Sequence, residues 1–294
     1  MIIPQRILSR IGLVLLHLAL PLSGRGMMLF HPPDEQAIKD YFGKQNPPRS
    51  VLLKFGDWDF HYMDSEKEAP IVVVFVHGSP GGWDAFMPYF KEPKLTDRFR
   101  LISVDRLGYG KSSFGKSESS LEKQAEAIST VFNAISPQQK VILVGHSLGG
   151  PTIAQLAIDF PEQVDGLLLI AASMDPALEK VKWYQHPGNW IPFRWIVPDA
   201  WRVCNEELLP LKSELTLQQP HLGEIHLPVV VIQGEDDELV PAANIDYIQQ
   251  QLIGAELEIR RYPGLNHFIP FVRRDLVVDG ILEVAKMLEA DSSE

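Results

Sequence analysis

The chain has a single cysteine, Cys204, among 294 residues. One thiol excludes an internal disulfide and a cysteine-based zinc site, and it leaves the compartment open because exported proteins can also lack disulfides. Basic charge is short too. The 27 Lys and Arg stand against 38 Asp and Glu, for a formal net charge of −11. Phosphate backbones are held by basic patches, so nucleic acid is not an expected partner, and the acidity reads as solubility. Internal repeats and low-complexity segments are absent. None of the nine histidines shows a metal-ligand spacing such as H-x-x-x-H, so neither a metal nor a cofactor is expected. What is present is ordinary for a globular chain: 45% hydrophobic and 22% charged residues. A chain of this length builds a large core without staples, as one large domain or two small ones.

Residues 1–26 contain three Arg and no acid. Arg6 and Arg10 precede an apolar run at 11–22, and Ser23, Gly24 and Gly26 follow it. That order is the order of a secretory signal, which places the protein outside the cytoplasm, periplasmic or secreted. The run has 12 residues and includes His17 and Pro21, against the roughly 20 apolar residues of a membrane-crossing helix. No A-x-A site follows it, and no lipoprotein cysteine. An uncleaved anchor that associates the protein with a membrane, and a plain apolar helix, are the other readings of the same residues.

Asp34 is a good N-cap, and Pro32-Pro33 keep a helix from starting earlier, so a short helix is expected at 34–42. Residues 51–55 and 58–63 alternate around Gly56-Asp57 and predict a hairpin. The unbroken run IVVVFV at 71–76 is that of a parallel strand covered on both faces. From there strand patterns at 100–104, 141–144, 164–171, 228–233 and 257–262 alternate with helical patterns at 120–135, 148–160, 241–252 and 274–288. Such alternation predicts an α/β protein with a doubly wound, mostly parallel sheet. The rhythm breaks between Ser173 and Leu227, where four of the six tryptophans fall within 19 positions. Pro187, Pro192, Pro198, Pro210 and Pro220 preclude one long helix there. The segment reads as an inserted lid of short helices at 173–227, over a core made of 27–172 and 228–294. Its aromatics, Trp183, Trp190 and Trp195 among them, are candidate substrate-binding residues.

Gly145-His146-Ser147-Leu148-Gly149 fits G-x-S-x-G between a strand and a helix, the context that motif requires. A sharp strand-to-helix turn needs small neighbours and lifts the Ser147 hydroxyl to the carboxyl edge of the sheet, where the helix N-terminus faces developing negative charge. A serine hydroxyl is a weak nucleophile and needs a base. His267, in the loop after the last strand, opens on the same edge and is the candidate. His146 belongs to the turn and is expected to point away; His186, His221 and His226 are expected at the surface or in packing. The base needs an orienting carboxylate. Within Glu235-Asp236-Asp237-Glu238, Asp237 is the candidate, with Asp236 and Asp175 as the alternatives. Stabilising an oxyanion needs two N–H donors: Leu148, next to the nucleophile, and Ser79 in His77-Gly78-Ser79-Pro80-Gly81-Gly82, since Pro80 has no N–H.

Taken together, VVVFVHGSPGG, DRLGYGKS at 105–112, VGHSLGG, GEDDELVP and GLNHF resemble the α/β-hydrolase superfamily over roughly residues 50–290. The resemblance implies an eight-stranded sheet with a cap inserted after the sixth strand, at about 173–225. It implies an acid at the G-x-x-D position, which favours Asp237 over Asp236, and a mostly structural role for DRLGYGKS. Haloalkane dehalogenases and epoxide hydrolases of that superfamily carry an aspartate where this chain has Ser147. The loop HGSPGG resembles that of proline iminopeptidases, but GHSLG differs from their usual GGSWG. Carboxylesterases, lipases, C–C bond hydrolases and cofactor-free haloperoxidases remain.

These readings converge on a serine hydrolase acting on a small-molecule ester, with an apolar part suited to the tryptophan-rich lid. The same triad would serve a C–C bond hydrolase or an amide- or peptide-cleaving relative. From a different class, a hydrolase-fold signalling protein would bind a ligand and turn little over. A lipid-surface enzyme would need an exposed apolar lid or a retained N-terminus.

Overall fold

The computed structural model describes residues 33–180 and 198–291. The expectations on residues 1–26 and on Trp183, His186, Trp190 and Trp195 lie outside them.

Asp34 caps the first helix as its side chain suggests: Oδ1 accepts the Ala37 N–H at 2.7 Å, and α1 runs Glu35–Phe42. The hairpin follows as β1 Arg49–Phe55 and β2 Trp58–Asp64, in antiparallel register. Then come β3 Ile71–Val76, a 3-10 helix Trp83–Lys91, α2 Pro93–Thr96, β4 Arg100–Asp105, α3 Leu121–Ser129, β5 Lys140–His146, α4 Gly149–Asp159 and β6 Gly166–Ile170. Within the inserted segment the described residues give α5 Asp199–Leu208, α6 Leu211–Gln218 and a 3-10 turn Gln219–Glu224. It closes with β7 Pro228–Gly234, α7 Asn244–Gln251, β8 Glu256–Tyr262, α8 Ile269–Val272 and α9 Arg274–Asp291. Among the described residues no helix is long and apolar enough to cross a membrane.

The eight strands lie in the order β1-β2-β4-β3-β5-β6-β7-β8, with β2 antiparallel to both neighbours and the rest parallel. The apolar run of β3 is shared between two layers by the two-residue period of a strand. Val72, Val74 and Val76 join the core beneath α3, α4 and α7, whereas Ile71, Val73 and Phe75 join the one beneath α1, the 83–91 helix and α9. β5 divides the same way, Val141 and Leu143 against Ile142 and Val144. Burial on both faces is why these strands lack polar alternation.

Two differences from the sequence pattern have local causes. The expected helix 120–135 is α-helical only to Ser129 and tightens into a 3-10 turn at Thr130–Ala134. Its apolar side Leu121, Ala125, Ile128, Val131 and Phe132 is buried as expected. The 83–91 helix, for which no helix was expected, buries Trp83, Phe86, Tyr89 and Phe90, and Pro88 inside it removes a donor that an α-helix would use.

From β3 the chain passes to β4 on one side and then crosses over to β5 on the other. That is the point where an open α/β sheet forms its crevice, at the carboxyl ends of the strands. The loops after β3, β5, β7 and β8 all end there.

Phe75 is fully buried at the centre of the sheet and stacks on Phe86 with ring centroids 4.9 Å apart. Phe75→Ala is expected to lower unfolding stability by about 3–5 kcal/mol, read from the shift of the urea midpoint.

Candidate active site

The turn after β5 holds Ser147 in a left-handed backbone conformation, φ 55°. A non-glycine residue adopts this at a cost, and only where surrounding contacts dictate it. Here they do. Ser147 N–H donates to Ile170 O at 3.0 Å, and its own carbonyl accepts from Gly150 N–H at 2.9 Å. The flanking glycines are required by close approach: a Cβ at Gly145 would lie 2.4 Å from Gly149 O, and one at Gly149 would lie 2.3 Å from Val76 O. Leu148, buried behind the turn, packs with Leu121 of α3 and with Leu211 and Leu215 of α6.

The expected base and acid meet. His267 Nδ1 is 2.8 Å from Asp237 Oδ2, and both residues are buried. A carboxylate only accepts, so the imidazole carries a proton on Nδ1 and Nε2 is the nitrogen left for proton exchange. Asp237 is fixed by further donors, Leu239 N–H at 2.9 Å and Val240 N–H at 2.8 Å on Oδ1 and Gln233 Nε2 at 3.3 Å on Oδ2. Gly234 lets the two loops touch, since a Cβ there would lie 2.2 Å from Leu265 O. The two alternatives are elsewhere: Asp236 is exposed, and Asp175 caps its own turn by accepting Ala177 N–H at 2.7 Å. His221 and His226 are exposed. The structure thus brings Asp237 to His267. Among the described residues the Ser147 hydroxyl makes no hydrogen bond to His267; contacts of this kind often close only once substrate is bound.

His146 departs from expectation. Instead of pointing away, its Nε2–H donates to His267 O at 3.0 Å, with the two rings 4.8 Å apart. A buried imidazole has to spend its N–H on an acceptor, and the nearest one is the backbone of the base. Burial and His267 push its pKa down to about 3, so it stays neutral.

The loop after β3 packs against the serine: a Cβ at Gly78 would sit 2.9 Å from Ser147 Cβ. Arg106 fastens that loop from behind. Its guanidinium donates to His77 O at 2.9 Å and Gly78 O at 3.1 Å, and its backbone N–H donates to His77 Nε2 at 3.0 Å. With Nε2 accepting, His77 carries its proton on Nδ1 and donates to Gly78 O at 2.7 Å; burial and Arg106 hold it neutral. The remaining guanidinium face meets Glu207 of α5 at 2.8 Å, with Arg106 1% and Glu207 2% exposed. Glu207 also accepts from Tyr109 Oη at 2.7 Å, Ser79 Oγ at 2.7 Å and Gln124 Nε2 at 3.3 Å. Ser79 is therefore anchored by its side chain. Among the described residues neither its N–H nor that of Leu148 is spent on an acceptor. Sequence reading missed Arg106, Glu207 and Tyr109; the one available signal was an arginine and a tyrosine inside DRLGYGKS. Cys204, buried beside them, has its thiol pushed up to about 12 by burial and is inert. Phe268 flanks His267, its ring 5.7 Å away, and exposed Phe271 lies against Phe268 and His146. No group of three or more metal-ligating side chains occurs among the described residues.

A family model for the alpha/beta hydrolase fold matches residues 71–195. The 2-(acetamidomethylene)succinate hydrolase of Mesorhizobium japonicum is 24% identical over 74% of this chain and 88% of its own. A bifunctional esterase/perhydrolase of Acinetobacter calcoaceticus is 22% identical over 76% and 95%. A membrane phospholipase A described as a bacterial virulence factor superposes with a TM-score of 0.67 at 17% identity, over 97% and 99% of the two chains.

Glu207→Gln keeps the shape but strips a buried guanidinium of its counter-charge, and a loss of about 3–5 kcal/mol in thermal or urea unfolding is expected. The neutral histidines set a pH dependence. The folded pKa of His146 is about 3, below the ordinary 6.5, so the unfolded chain binds more protons between those values. Its contribution is present above about pH 6.5 and is lost as pH falls toward 3, by up to about 1.4 kcal/mol per pH unit. His77 acts in the same direction, and Asp84, raised to about 7, acts in the opposite one. Urea titrations between pH 7 and pH 4 are therefore expected to show a shallower acid loss in His146→Gln than in wild type.

Proposed function

For this chain, a member of the α/β-hydrolase superfamily and a hydrolase of that fold, we propose a serine esterase whose nucleophile, base and acid are Ser147, His267 and Asp237. The observation that carries the reading is the buried Asp237–His267 hydrogen bond at 2.8 Å, on the same sheet edge as a serine held at positive φ. The Ser147 hydroxyl attacks the ester carbonyl carbon while His267 Nε2 takes its proton. The oxyanion is received by the N–H groups of Ser79 and Leu148, each worth about 3 kcal/mol in the transition state. His267 returns the proton to the departing alkoxide, and Asp237 holds the imidazolium in place. Water, deprotonated by the same histidine, then releases the acid from the acyl-enzyme. The serine at the elbow, in place of an aspartate, supports an ester-cleaving nucleophile, and Phe268 beside His267 with Phe271 next to it supports an apolar acyl or alcohol part over a small polar one.

The test is hydrolysis of p-nitrophenyl esters from acetate to laurate. Wild type is expected to turn them over, with butyrate or longer chains exceeding acetate. Asp237→Asn is expected to lower kcat by roughly 10⁴, and Ser147→Ala to abolish turnover. Absence of ester turnover in a folded protein whose Ser147 still takes a fluorophosphonate would exclude the esterase and keep the nucleophile. Absence of both would exclude the nucleophile.

A further inference from the structure

A second Ser–His–Asp row crosses the three strands β1, β2 and β4 and ends at the free edge of the sheet. Ser50 is exposed on β1, the free edge of the sheet. Its Oγ is 2.8 Å from Nε2 of His61 on β2, and His61 Nδ1 is 2.7 Å from Oδ2 of Asp105 at the end of β4. The register explains the alignment. His61 sits directly opposite Asp105, while Ser50 pairs with Met63, two residues along the same face from His61. His61 and Asp105 are completely buried.

The protonation pattern is set by neighbours. Asp105 Oδ1 accepts Trp83 N–H at 2.8 Å, and Oδ2 accepts Lys111 N–H at 2.9 Å besides the imidazole. Surrounded by donors, the Asp105 carboxylate accepts a hydrogen bond from His61 Nδ1–H. Nε2 is left with a lone pair toward the Ser50 hydroxyl, the arrangement that activates a serine. Nearby Asp84 is the carboxyl driven up, to about 7, by burial and by the charge of Asp105. Four strand spacings, about 19 Å across the sheet, separate β1 from β5, after which Ser147 stands.

We propose that Ser50 is a second activated nucleophile and a covalent modification site for activated acyl donors. With an aryl ester, Ser50 Oγ forms a bond to the carbonyl carbon and His61 Nε2 takes the hydroxyl proton. The bond to the aryl oxide breaks, and the proton leaves with it as the phenol. Ser50 lies exposed on an edge strand, and among the described residues no N–H donor is shown bonded to its hydroxyl, so the acyl group accumulates in one equivalent rather than turning over.

The experiment treats full-length Ser147→Ala with a fluorophosphonate and, separately, with p-nitrophenyl acetate, and follows intact mass and peptide maps with time. Ser213, exposed and donating only to Pro210 O, serves as an internal reference. One added group, mapped to Ser50 and formed roughly 100-fold faster than at Ser213, is expected. His61→Gln in the same background is expected to bring Ser50 down to the Ser213 rate while the protein still melts cooperatively. Labelling of Ser50 no faster than Ser213, or undiminished in folded His61→Gln, would overturn the proposal. Should His61→Gln fail to fold, the ratio of Ser50 to Ser213 in the single variant decides by itself.

Discussion

A guanidinium with no access to water organises the carboxyl edge of this sheet. Arg106 leaves the end of β4 and is enclosed by carbonyls of the loop after β3 and by the carboxylate of Glu207. A buried charge is tolerable only when paired and fully hydrogen-bonded, so every partner of Arg106 is confined to one geometry. The loop that touches Ser147 is therefore held from beneath, and the helix that covers it is held from the side. Tyr109 and Ser79 complete the ring by donating to the same carboxylate. The Ser79 N–H proposed to receive the oxyanion thus sits in a loop whose His77 and Gly78 carbonyls and Ser79 hydroxyl are already committed.

The opposite wall of the crevice obeys a different constraint, steric rather than electrostatic. Ser147 adopts φ 55° because glycines at 145 and 149 allow neighbouring carbonyls to approach where a Cβ would clash. His146 joins this wall to the loop of His267 through a single hydrogen bond. Nucleophile and base are consequently coupled by backbone even where their side chains do not touch. The parallel arrangement of β3, β5, β6, β7 and β8 delivers all the contributing loops to one edge.

Much of this was legible in the sequence, for identifiable reasons. The turn around Ser147 announces itself because glycine is the only residue that fits at two fixed offsets. Asp237 was separable from Asp236 only through the resemblance, which places the acid three residues after a glycine; that glycine, Gly234, is forced by its closeness to Leu265 O. His267 follows from loop placement alone. Pairs that depend on the tertiary fold were not legible. Arg106 and Glu207 are 101 positions apart, and Glu207 belongs to a helix with no motif. Ser50, His61 and Asp105 become neighbours only through strand register. His146 was misread because sequence shows where a turn residue begins, not which carbonyl awaits its N–H. The 83–91 helix went unseen because Pro88 argues against the regular helix the eye looks for.

The Arg106–Glu207 contact also bears on how such a protein can be rebuilt by recombination. Sheet and inserted helices would otherwise be separable modules, since the insertion enters and leaves between β6 and β7. A graft of foreign helices lacking an acid at the place of Glu207 would strand a cation inside the acceptor. A graft bearing that acid onto a sheet without Arg106 would strand an anion. The two halves are keyed to each other by charge, and inheritance or engineering that exchanges one has to exchange the key with it.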